Sequence, residues 1–349
     1  MLATIVHGLK DFRAEEVPDP VLVHPTDAIV KVAAACVCGS DLWPYRGVNG
    51  VPVGKHMGHE FVGTVTEVGE AVTGLTPGDF VIAPFAGSCG TCENCRNGIF
   101  TSCENVVWWG GANADGTMND GAQGEFVRVP FADATLVTAP APESEDQLKD
   151  LLTLSDVFGT GHHAAVSAGV GPDTTVAVVG DGAVGLSAVL AAKRLGARHV
   201  IALSTHAPRQ AVAREFGADE VLALRGDDAV AAVRERTSGV GADVVLECVG
   251  TQQAMDQAIA STRPGGAVGF VGVPAGGSTI PVRSLFGTNV RVTGGVAPVR
   301  AYIPDLLEDV VAGRIHPGRV FDLVLPLADV AEAYAAMDER RAIKVMLVP

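Results

Sequence analysis

Hydrophobic and polar positions change their rhythm partway along this 349-residue chain. Up to about residue 157 the apolar residues come in short β-type runs, Ala28–Ala35, Glu60–Val68, Phe80–Pro84 and Glu125–Val129, cut apart by glycine and proline. Runs of that length between turn formers predict an irregular, mostly antiparallel β region. From Thr174 onward the texture is different. An apolar strand (Thr175–Val179) leads into an Ala- and Leu-rich helix (Ala183–Leu195), then a strand (Val200–Leu203) and a helix (Arg209–Phe216). The alternation continues through Asp243–Cys248, a helix near Gln252–Thr262, Ala267–Val271 and Val290–Thr293. This is the pattern of βαβ units, and roughly six strands suffice for a doubly wound parallel sheet. After Gly295 a helix (Tyr302–Ala312), a strand (Phe321–Pro326), a helix (Ala328–Arg340) and a last strand (Lys344–Val348) are expected to return to the first domain.

Composition narrows the class. With 48% hydrophobic and 19% charged residues the chain is no disordered protein, and its length suggests about two domains of ~150 residues. A formal charge of −15 argues against nucleic acid and anionic membranes as partners, because phosphate binding needs a basic face. No basic segment followed by an apolar one opens the chain, and no stretch of about 20 apolar residues occurs, so a soluble, cytoplasmic protein is expected. Of seven cysteines, four crowd between Cys89 and Cys103. A reducing compartment keeps thiols free, which favours metal binding over disulfides.

The densest chemistry is Cys89-x2-Cys92-x2-Cys95-x7-Cys103. Four thiolates on glycine-bearing turns can close a tetrahedron around Zn²⁺ with no water, a structural site. An iron–sulfur cluster is the rival, disfavoured because no Cys-Pro follows the last ligand. A second set, Cys38-Gly-Ser40-Asp41 and Gly58-His59-Glu60, suits the other kind of zinc, one that keeps a position open for substrate. Alone, a cysteine is more often a small buried hydrophobe and a histidine a satisfied structural residue; the combination carries the reading. Gly180-Asp-Gly182-Ala183-Val184-Gly185 is the GxGxxG form, set between a predicted strand and a predicted helix. There the glycines let backbone N–H groups at the helix start approach a pyrophosphate.

Together these residues resemble the medium-chain dehydrogenase/reductase family, specifically its zinc-containing alcohol dehydrogenases, over essentially the whole chain. The resemblance implies a GroES-like, mostly-β catalytic domain (1–157 and 296–349), an inserted Rossmann cofactor domain (158–295), a cleft between them, and a homodimer or homotetramer. It implies two zinc ions. Cys38 and His59 match the catalytic zinc ligands, Glu60 the adjacent acid, Asp156 the third ligand or, failing that, a helix N-cap. Asp41 matches the partner that orients His59, and Ser40 the hydroxyl that passes on the alcohol proton. On the cofactor side, Thr160 and Val184 match residues packing on nicotinamide, Val271 and Val273 those meeting its carboxamide, and Lys344 a basic residue reaching the pyrophosphate.

Two departures stand out. Trp43 occupies the place of a relay histidine in many relatives, and Ser204 ends the second strand where an NAD enzyme would usually place an acid. Ser204, Thr205, His206 and Arg209 instead group hydroxyls and positive charge, with no acid in that segment until Glu215, so NADP(H) is expected and NAD(H) is the alternative. Trp43, Trp108 and Trp109 are candidates to line an apolar substrate pocket, with core packing as the other possibility for the pair. His162 and His163 read as helix-face residues. The expected function is a hydride transfer between a small alcohol, secondary by this reading, and its ketone. The alternatives are a polyol dehydrogenase using NAD, a zinc-free quinone or enoyl reductase, or a non-catalytic protein on the same fold, and an open Cys38/Ser40/His59/Asp156 set speaks against the last two.

Overall fold

Strand Ala28–Cys36 organises the N-terminal part of the protein. In this computed structural model, which describes every residue except Asn49, Ala114, Ala275 and Gly277, the strand pairs antiparallel with Phe61–Val68, Phe126–Val129 and Lys344–Val348. The sheet runs Phe321–Pro326, Lys344–Val348, Ala28–Cys36, Phe61–Val68, Phe80–Ala83, Val137–Thr138, with Phe126–Val129 added on Ala28–Cys36. The C-terminal tail thus supplies two strands to a sheet whose first strand in the chain is Ala28–Cys36, and its own pair is parallel. Met1–Asp156 and Pro298–Pro349 accordingly form one unit, Val157–Ala297 the other.

Among the described residues, two apolar clusters stand out in the first unit. One gathers Val30, Val32, Phe61, Val65, Val81 and their neighbours. The other is built round Phe12, Tyr45 and Tyr334, whose ring centroids lie 4.7–5.3 Å apart. Aromatic edges against faces add to burial there. The opening hairpin, Leu2–Gly8 with Asp11–Glu16, was not among the expected strands. Nor was the helix Glu145–Thr153, although Ser144 caps it by accepting from the Gln147 N–H at 3.2 Å and two acids occupy its first turn.

The second unit is a parallel six-stranded sheet in the order Glu220–Leu222, His199–Leu203, Thr175–Val179, Ala242–Glu247, Thr262–Phe270, Arg291–Gly294. Thr175–Val179 is buried throughout, which is why it reads as an unbroken apolar run. Chain order reverses on either side of it, so its carboxyl end is the switch point where doubly wound sheets bind ligands. Among the described residues no helix is long and apolar enough to cross a membrane.

Candidate active site

The turn after Ala28–Cys36 and the residues before Phe61–Val68 converge because those two strands are neighbours. Asp41 folds the Cys38–Asp41 turn back on itself, its Oδ2 accepting from the Cys38 N–H at 2.9 Å. Its other oxygen lies 3.3 Å from His59 Nδ1. That pairing leaves Nε2 as the outward ligand atom, 3.5 Å from Asp156 Oδ2 and 3.9 Å from Glu60 Oε1. Cys38 Sγ is 4.0 Å from Asp156 Oδ2, and the ligand atoms of Cys38, His59, Glu60 and Asp156 all lie within 4.8 Å of one another.

The donor set fits a zinc ion. It offers a soft sulfur, an imidazole and carboxylate oxygens, and Glu60 Oε2 is buried without a hydrogen-bond partner. Burial alone would lower the His59 pKa, but Asp41 and Cys38 outweigh it and hold the ring well above the ordinary histidine range. Such a surplus of negative charge is what a dication compensates.

Outward from His59 runs a buried polar chain. Gln123 Nε2 donates to Asp41 Oδ2 at 3.4 Å and to the Cys36 carbonyl at 3.1 Å, while its Oε1 accepts from the Tyr334 hydroxyl at 3.1 Å. Gly58, at φ +93°, makes room for this amide: a Cβ there would stand 2.5 Å from Gln123 Cγ. Neither Gln123 nor Tyr334 was singled out from the sequence, and no local signal marks them.

The four-cysteine cluster is also assembled. Sγ separations are 3.4 Å for Cys89–Cys103, 3.5 Å for Cys92–Cys95 and 3.9 Å for Cys92–Cys103. Four thiolates at ~2.3 Å from one centre in a tetrahedron stand about 3.8 Å apart, so the cage is the right size for zinc. Burial raises the Cys89 thiol, yet the Thr91 and Cys92 N–H groups bring it down to about 6, whereas burial pushes Cys103 up to about 12.

In the second unit Gly182 caps the helix Ala183–Arg194 without a side-chain hydrogen bond and has open space where a Cβ would stand. A Cβ on Gly185 would meet the Gly180 carbonyl at 2.1 Å. The loop is therefore a backbone cradle of the kind that fits a pyrophosphate. Thr160 lies in the helix Val157–Ala168 and Val184 in Ala183–Arg194, while Val271 and Val273 follow the strand Thr262–Phe270. Val271 is tied by its N–H to the Glu247 carbonyl at 2.9 Å, and Val273 is 55% exposed.

Three expectations need correction. The segment after His199–Leu203 carries no acid of its own before Glu215, but it is not left without one, because the parallel register sets Val179 beside Leu203 and so brings Asp181 alongside it. Asp181 Oδ2 accepts from Ser204 Oγ at 2.9 Å and lies 3.2 Å from His206 Nδ1, and Arg209 Nη1 donates to the Asp181 carbonyl at 3.0 Å. Arg225, also missed, donates to Thr205 Oγ1 at 2.8 Å. Lys344 does not extend toward a pyrophosphate: it is 1% exposed, its Nζ on Glu60 Oε1 at 2.8 Å and the Val37 carbonyl at 3.2 Å. Trp109 is a core residue, 4% exposed, edge-on to Phe61, its indole N–H on the Pro84 carbonyl at 3.0 Å.

Trp43 is half-buried in the short helix Leu42–Tyr45. Trp108 is 44% exposed and stacks on Phe85 at 6.3 Å, and the Phe85 N–H donates to the carbonyl of Ser155, next to Asp156. Phe85 is an aromatic neighbour of the site that the sequence did not mark.

Comparison with known proteins agrees with this geometry. Residues 24–141 match the alcohol dehydrogenase GroES-like domain and residues 183–312 the zinc-binding dehydrogenase family. The chain is 33% identical to zinc-type alcohol dehydrogenase B of Aspergillus flavus, over 99% of this chain and 81% of that protein. It is 34% identical to geraniol dehydrogenase of Castellaniella defragrans, over 95% of each. Among solved structures, alcohol dehydrogenase TADH from Thermus sp. ATN1 superposes with a TM-score of 0.91 at 36% identity, covering 100% of this chain and 99% of that one. The chain belongs to the medium-chain dehydrogenase/reductase family, within its zinc-containing alcohol dehydrogenases.

Proposed function

We propose that the protein interconverts a small alcohol, secondary in the preferred case, and its ketone with NADP(H), with one zinc in the Cys38 cluster and another in the Cys89–Cys103 cage. The observation that carries this is the mixed donor set of Cys38, His59, Glu60 and Asp156 with His59 Nδ1 held by Asp41. A cage meant only for structure has no use for so many different donors beside an oriented imidazole.

Zinc bound there supplies Lewis-acid polarisation of the substrate oxygen, and bound nicotinamide supplies the hydride chemistry. The chain's own residues do the rest. Cys38, His59 and Asp156 would hold the metal, and Glu60 would be a fourth donor. Asp41 fixes the His59 tautomer, and Ser40, two residues from Cys38, relays the alcohol proton, accepting it as it gives up its own hydroxyl proton to water. Trp43, Trp108 and Phe85 supply aromatic surface that favours an apolar substrate over a polyol. That one relative is a geraniol dehydrogenase agrees with an apolar substrate.

Ser204, Thr205, His206, Arg209 and Arg225 support NADP(H), through hydroxyl donors and two permanent positive charges. NAD(H) is the second reading, and Asp181 is the observation in its favour. Assembly as a homodimer or homotetramer is supported by Val282 and Phe286, 73% and 87% exposed on the helix that precedes the edge strand Arg291–Gly294. Size-exclusion chromatography with light scattering tests it. An absorbance screen of secondary alcohols, ketones and polyols with both cofactors tests the activity. Turnover of none of them by zinc-loaded protein would refute the catalytic reading.

A further inference from the structure

The carboxylate of Asp181 sits among the groups a ribose 2′-substituent would use. Its side chain is 13% exposed and Ser204 only 2%, so the contact between them is part of the packed loop. Oδ2 takes the Ser204 hydroxyl at 2.9 Å and faces His206 Nδ1 at 3.2 Å, while Oδ1 lies 3.7 Å from Arg209 Nη1. Burial raises this carboxyl, but Ser204 and Arg209 outweigh it and keep it below its ordinary value. An anion is therefore already in place, supplied by the glycine loop and not by the end of the second strand.

Two consequences follow for a dinucleotide lying over Gly180–Gly185. A ribose 2′-hydroxyl can donate to the Asp181 carboxylate. A 2′-phosphate must compete with that carboxylate for Ser204, His206 and Arg209, and is repelled by it. We propose that Asp181 is the residue that sets discrimination between the two nicotinamide dinucleotides, accepting the ribose hydroxyl of NAD(H) and opposing the phosphate that Arg209 and Arg225 attract. This rests on the reading of the glycine loop as a dinucleotide site, and not on which cofactor the wild-type enzyme prefers.

The test is a binding measurement on zinc-loaded protein. Dissociation constants for NADPH, NADH, adenosine 2′,5′-bisphosphate and 5′-AMP are taken by calorimetry on the wild type, D181N and D181S. Both variants keep a small polar side chain on Ser204 and remove the charge. The NADPH-to-NADH affinity ratio is expected to move toward NADPH by ~10-fold or more, about 1.4 kcal/mol, through tighter NADPH and weaker NADH. The 2′,5′-bisphosphate should tighten in parallel and 5′-AMP should stay within about twofold. A ratio that does not move, or that moves toward NADH, overturns the assignment. So does an equal loss of all four ligands in both variants, which would make Asp181 a residue of loop structure alone. If the wild type binds neither dinucleotide, the dinucleotide reading itself falls and this inference with it. Binding of both with an unmoved ratio removes the inference alone.

Discussion

The hydroxyl of Tyr334 donates to Gln123 Oε1 at 3.1 Å, and both side chains are 0% exposed. Tyr334 belongs to the C-terminal helix Val330–Asp338, and Gln123 reaches on to Asp41, which holds His59. The end of the chain thus braces His59, proposed above as a zinc ligand, near its beginning. Gln123→Met should leave the Tyr334 hydroxyl and an Asp41 oxygen short of partners, at a cost of about 1–3 kcal/mol. It should also speed zinc loss to a chelator, while Tyr334→Phe should cost less. Denaturant unfolding and a chelator time course read the two effects. Unchanged zinc retention in Gln123→Met would show that the chain ends at Asp41.

Two donor clusters of different kind lead to separable roles. Elemental analysis of fresh protein should find about two zinc ions per chain. Cys103→Ser should mainly lower the unfolding temperature, whereas His59→Ala should abolish turnover and leave the fold intact. Unfolding of both variants would contradict the separation.

Asp156 Oδ2 stands 3.5 Å from His59 Nε2 and directly precedes the helix Val157–Ala168. Asp156→Asn keeps the shape and removes the charge, so zinc affinity and activity should each fall ~10-fold or more if the carboxylate binds metal. Wild-type zinc content and activity in this variant would return Asp156 to helix capping.

A pH effect is expected in the second unit. Burial raises the Asp243 carboxyl, but the Thr175 N–H and the Arg263 guanidinium, each at 2.7 Å, outweigh it and lower the pKa. A depressed carboxyl contributes stability above its unfolded value of about 3.9 and loses it as pH falls through the folded value. Asp243→Asn should therefore unfold at a lower temperature than wild type at neutral pH, with the difference shrinking toward about pH 3. A difference of constant size across that range would assign the effect to hydrogen bonding without charge.

Much of this architecture is local in origin and could be read along the chain. Thr175–Val179 and Lys344–Val348 begin and end where the sequence pattern places them, because burial of nearly every residue writes itself into the pattern, and Phe321–Pro326 matches its run although only Phe321 is fully buried. The glycine loop and the Cys89–Cys103 cage were legible for the same reason: their members are close in sequence, and their spacing is their geometry. The strand Glu220–Leu222 was not, being three residues long and only partly buried.

What the tertiary structure alone decided are the meetings between distant residues. Which partner Lys344 takes depends on its strand lying next to Ala28–Cys36, which carries it to Glu60. Of two adjacent tryptophans, Trp108 ends a short strand at the surface, while Trp109, in the turn that follows, goes into the core because Phe61 and the Pro84 carbonyl receive it there. Asp181 came beside Ser204 through the parallel register of two strands, a pairing that no run of neighbouring residues encodes. Sequence spacing identifies groups that one turn brings together, whereas the charge around a ligand site is summed over every strand that ends there.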